Sequence, residues 1–163
     1  MSPAWQLPLN VQAIPHKELV VLAKRWLLGT AKCGFALTEF RNYATETPDA
    51  IGWRRDQSHM IECISTKSAF HYDLHSKEHW KSCKLFRIHS ELGMGNFRYY
   101  MSSPNLIQEK HLPDKWGLLW VYGNGIKVVK QPELFGEPCI AENDRRLLCA
   151  ALKRLCKGNK NGK

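Results

Sequence analysis

The sequence predicts an α/β protein, one domain built on a central mixed sheet flanked by helices. Three observations predict it. Apolar residues recur at three- and four-residue spacing over 16–29, 66–80 and 142–157, the period of a helix packed on one face. Between them, residues 33–40, 49–67, 97–101 and 116–130 alternate or run apolar as strands do, and helices alternating with strands indicate a layered α/β core. At 163 residues and 44% hydrophobic content the chain is long enough for one core and short for two. The domain is therefore expected to fill residues 16–157, between an extended N-terminal arm over 1–15 and a disordered basic tail over 158–163.

The arm is expected because its first fifteen residues hold three prolines around an isolated Trp5. From His16 to Gly29, Leu19, Val20, Ala23, Trp26 and Leu27 mark the buried stripe of an amphipathic helix, and Gly29 stops it. Residues 33–40, CGFALTEF, read as a strand with Phe35, Leu37 and Glu39 on one side. Residues 47–67, TPDAIGWRRDQSHMIECISTK, read as two strands joined by a polar turn at Arg54, Arg55, Asp56 and Gln57, each carrying one carboxylate. Asp49 opens the first strand. Glu62 lies in the second, on the face of Ser58, Met60 and Ile64. A hairpin would let the two acids converge at one end, and repulsion between them would be relieved by a shared proton or a divalent cation. A hard cation such as Mg2+ takes carboxylates, waters and substrate phosphate.

Residues 66–80 then read as a helix with Phe70 and Leu74 inward, capped by the hydroxyls of Ser65, Thr66 and Ser68, so that Lys67 can meet a phosphate. His71, His75, His79 and Cys83 recur every four residues. A helix running that far would line them up for zinc, and the alternative is a polar, partly solvated face. Residues 97–101, FRYYM, form an aromatic strand whose Tyr99 and Tyr100 both suit the core. Residues 104–113 read as a connector with one short helical turn. Residues 116–122, WGLLWVY, suit a buried central strand, and Gly123-Asn124-Gly125 turns it into a return strand over 126–130. After a Pro- and Gly-containing linker over 131–139, the last helix carries Leu147, Leu148, Ala151, Leu152 and Leu155, with Cys149 and Cys156 read as small core residues.

A formal charge of +9 and a pI near 9.4 favour a polyanionic partner. No run approaches the roughly 18 apolar residues of a membrane span, and the first residues lack the pattern of a signal peptide, so a cytoplasmic location is expected. Six cysteines without a CxxC pair suit reduced thiols.

Pro48-Asp49 followed by Glu62-Cys63 and then a helix resembles the signature of the PD-(D/E)XK nuclease superfamily. In order, WLLGT, ALTEF, PDAIGW, IEC, SAF with Asp73, GMGNFRYYM and LPDKWGLLWVYG resemble the small MmcB-like branch, which includes DNA-repair-associated and phage-borne proteins. The resemblance covers roughly residues 17–130. It implies a restriction-endonuclease-like core and Mg2+- or Mn2+-dependent cleavage of DNA phosphodiester bonds. Asp49, Glu62 and the carbonyl of Cys63 would hold the ion, with Glu39 as an outer ligand and Glu46 competing for that place. The motif lysine is replaced by Ile64, and the acid of the branch's Ser-x-Asp-Phe stretch by Ala69. Lys67 is then the candidate relocated lysine, catalytic beside Asp49 and Glu62. Arg54, Arg55, Lys67, Lys77 and Arg98 are the expected nucleic-acid contacts. The alternative is a degenerate nuclease-fold protein that binds DNA or a protein partner, or pairs with itself, without cleaving.

Overall fold

Pro15 launches the first helix. Its carbonyl accepts the N–H groups of Glu18 and Leu19 at 3.0 and 3.1 Å, and α1 (His16–Gly29) follows. Leu19, Val20, Ala23, Trp26 and Leu27 are its buried residues, the five that the spacing selects. The structure is a computed structural model and describes residues 13–41, 47–75, 93–123, 125–136 and 138–158.

Three strands then meander antiparallel: β1 (Phe35–Thr38), β2 (Ala50–Arg54) and β3 (Gln57–Ile64). Only Arg55 and Asp56 separate β2 from β3, and Arg55 takes the left-handed conformation (φ 57) that so tight a hairpin requires. Helix α2 (Lys67–His75) starts where Thr66 Oγ1 accepts the Ala69 N–H at 3.0 Å. The crossover it begins delivers β4 (Phe97–Ser102) parallel to β3, as a parallel neighbour demands. β5 (Gly117–Tyr122) is parallel to β4, after a connection holding a 3-10 turn at Glu109–His111, and β6 (Gly125–Lys130) returns antiparallel. The six strands lie in sequence order in one mixed sheet, and α3 (Pro138–Gly158) closes the chain. The molecule is thus α/β, with helices flanking a mixed sheet, as the sequence predicts.

Alternation along the strands divides the core in two. Ala50, Ile61, Cys63, Tyr99, Met101 and Leu119 pack with α1. Ile51, Met60, Ile64, Tyr100 and Leu118 pack on the other face with Ile140 and Leu147 of α3, and Phe70 and Leu74 of α2 lie against them.

Four expectations are corrected. Arg98, expected on a nucleic-acid surface, is only 1% exposed: its Nε donates to the Gly95 carbonyl at 3.1 Å and its guanidinium lies 4.0 Å above the Phe135 ring. Cys149 and Cys156 are exposed, not core, and Leu152 and Leu155 beside them are exposed as well. Glu39 does not share the face of Phe35 and Leu37 by alternation, because β1 ends at Thr38 and Glu39 turns left-handed (φ 46). The last helix begins at Pro138, so part of the expected linker is its first turn, where proline's missing N–H costs nothing. The arm over 1–12, Glu46, Lys77, His79, Cys83, Asn124 and the tail over 159–163 lie outside the described residues.

Candidate functional site

The end of the sheet where β2 begins and β3 finishes gathers the predicted acids. Ala50 stands opposite Ile61, so Asp49 is one step beyond the last pair and level with Glu62. The Asp49 carbonyl accepts the Glu39 N–H at 3.0 Å, fixing the end of β1 there. Its Oδ2 accepts the Cys63 N–H at 2.7 Å. A side-chain carboxylate therefore replaces a strand carbonyl at the end of the ladder, with the short distance of a charge-assisted bond. Asp49 thereby abuts the peptide that joins Glu62 to Cys63. Because the N–H of Cys63 faces β2, its carbonyl faces the same way.

Glu62 is 2% exposed on the face of Met60 and Ile64. Its neighbour across the sheet is Tyr100, whose hydroxyl donates to Asp73 Oδ2 of α2 at 2.7 Å. That bond latches the helix beside the acid. Ile64, where the lysine would stand, is 4% exposed and packed in the second core cluster.

His16, the first residue of α1, belongs to this cluster, where helical spacing alone gives it no role. Its Nε2 lies 3.2 Å from Asp49 Oδ1, and its Nδ1 4.0 Å from Glu39 Oε1. The ring thus stands between two carboxylates, its Nε2 toward Asp49 and its Nδ1 toward Glu39. The His16 side chain is 39% exposed, which leaves it in reach of water. No local pattern marks a histidine that finds its partner two strands later in the chain.

The described cationic candidates at the surface lie at the two ends of the β2–β3 hairpin. Lys67 is exposed at the start of α2, makes no ion pair among the described residues, and lines a groove with Phe70, His71 and Leu106. Arg54 and Arg55 sit at the opposite end of β2 from Asp49, roughly 16 Å away along a five-residue strand. Thiol chemistry has no support here: burial pushes the Cys33 thiol up to about 11, against the pull of Arg54, so it stays protonated and unreactive. Among the described residues no three His, Cys, Asp or Glu side chains are grouped to hold a metal ion, although the His71 and His75 rings lie 4.6 Å apart.

No family model matches the chain, and no curated protein matches it. Among solved structures it is similar to one described as "SPO1766 protein of unknown function from Silicibacter pomeroyi". The two share 19% identity over 87% of this chain and 89% of that one, with a TM-score of 0.60. At that identity the likeness is one of fold, and it spans nearly the whole of both chains. Among the described residues, no helix is long and apolar enough to cross a membrane.

Proposed function

We propose that the protein is a divalent-metal-dependent nuclease acting on DNA phosphodiester bonds, with Asp49 and Glu62 as its essential carboxylates. The observation that carries this reading is the 2.7 Å bond from the Cys63 N–H to Asp49, which holds one acid against the peptide of the other.

The donor set fits Mg2+ or Mn2+. These ions take oxygen ligands, typically one or two carboxylates with waters and substrate phosphate, and the donors gathered here are carboxylate and carbonyl oxygens. Asp49 spends one lone pair on the Cys63 N–H and has capacity left beside His16, since a carboxylate offers about four. Asp49, Glu62 and the Cys63 carbonyl would hold the ion, with the exposed Glu39 as outer ligand. A bound ion would neutralise phosphate charge and lower the pKa of water. His16 takes the proton-accepting role that the missing lysine leaves open: Asp49 orients the ring, and Nδ1 receives a proton from water. Lys67, at the N-terminus of α2, meets the phosphate and not the water.

A second reading, binding without cleavage, is favoured by Ile64, an apolar core residue at the lysine position. One experiment separates the two. Plasmid and single-stranded DNA are incubated with Mg2+ or Mn2+, comparing the wild type with Glu62→Gln and His16→Ala. Metal-dependent cleavage lost in Glu62→Gln and lowered about 100-fold or more in His16→Ala supports the nuclease reading. Equal inertness of wild type and Glu62→Gln overturns it.

A further inference from the structure

We infer that the groove between α2 and the β4–β5 connection is a binding site for a single unpaired nucleotide of a DNA strand. Its volume is about 390 Å3, within the range of small-molecule sites. Phe70, Leu74 and Leu106 form its floor, since all three pack against the core. Phe70 is held edge-on to Tyr100 at 5.1 Å, so this aromatic surface is fixed in place before any ligand arrives. The exposed rim carries Lys67, His71, His111 and the Gln108 amide, and among the described residues no carboxylate lines the groove.

The two halves of that lining call for two halves of a ligand. An apolar floor with a fixed ring accepts the flat face of a base, and cationic and amide donors accept the phosphate attached to it. A base inside a duplex cannot enter, because its face is stacked and its phosphates lie outside; only a strand with an unpaired base presents both. The location agrees. The groove opens at the carboxyl ends of the parallel strands β3 and β4, the end of an open α/β sheet that receives ligands, and Lys67 follows closely on Glu62 in the chain.

This inference deepens the nuclease reading, because it makes the substrate single-stranded or frayed DNA delivered to Asp49 and Glu62, but its test needs no cleavage. Binding of a labelled oligothymidylate and of a duplex of the same length is measured by anisotropy in EDTA, for the wild type, Leu106→Trp and the doubly substituted His71→Ala/His111→Ala. The wild type is expected to prefer the single strand. Each variant is expected to weaken single-strand binding about tenfold while leaving duplex binding within about twofold. Both histidines are exposed, so the double variant folds and decides the matter if the Leu106→Trp protein does not. Unchanged single-strand binding, or equal weakening of both DNAs, overturns the groove as a nucleotide site. Loss of the cleavage reading alone leaves these binding outcomes unaffected, so the two failures are distinguishable.

Discussion

Ile64 shows how one side chain decides what a site can become. It shares the face of Glu62, where the family that the sequence resembles carries a lysine, yet it is 4% exposed among Met60, Tyr100, Ile107 and other apolar residues. An ammonium there would have to shed water without a described partner, or the core would have to open to let it reach the acid. Restoring the lysine is therefore not a simple repair. Ile64→Lys is expected to cost about 3 kcal/mol or more of stability, whereas Ile64→Met, close in volume, costs under about 1.5 kcal/mol. Urea unfolding of both variants checks this, and equal midpoints would mean that the position is not the closed core site described. By contrast the His16 ring, 39% exposed beside Asp49, meets solvent without disturbing the packing, which is why the proposed proton acceptor is placed there.

At the level of elements, the segment before β4 does the joining. Gly95 donates its N–H to Asp144 of α3 at 3.2 Å and accepts from Arg98, while Asn96 exchanges hydrogen bonds with Ser58 of β3. Burial pushes the Asp144 carboxyl upward, opposed by hydrogen bonds from Ser58, Gly95 and Trp53 and by the charge of Arg98. Gly95 has φ +82, and a Cβ there would stand 2.7 Å from the Met60 Cβ in the closed interior. Gly95→Ala is thus expected to destabilise by about 2–4 kcal/mol in chemical denaturation, while Gly123→Ala, with open space around it, stays within about 1 kcal/mol. None of this junction was legible in the sequence. Periodicity gave α1 with its five buried residues and the β2–β3 hairpin with both acids, because those patterns are local. Arg98 reads as a surface charge until Phe135 and Asp144, distant in sequence, are brought around it beside the nearby Gly95 carbonyl. The end of α3 misleads as well. Ala151 is buried and Arg154 lies over the Phe40 ring, while Leu152 and Leu155 in the same turns are exposed, so helical spacing alone does not say which residues of that end face the core.

For the molecule as a whole, the basic side chains are spread over separate regions, so DNA binding as proposed would have two separable modes of contact. Lys67 stands at the end of the sheet that holds Asp49 and Glu62, while Arg54 and Arg55 stand at the far end of the β2–β3 hairpin. A strand short enough to fill the groove reaches only the first group. A long duplex lying across the hairpin reaches both, and each neutralised duplex phosphate contributes about −0.9 to the slope of log affinity against log salt. Substituting Arg54→Ala and Arg55→Ala together is therefore expected to leave the salt slope for a short oligothymidylate unchanged and to reduce the slope for a long duplex by about two. Anisotropy titrations over a range of salt concentrations read both slopes from the same proteins. If the short strand loses slope as well, the arginines and the groove share one footprint, and the separation of the two regions along the hairpin does not govern binding. If neither slope changes, the far end of the hairpin takes no part in DNA contact, and the basic excess works through Lys67 and its neighbours alone.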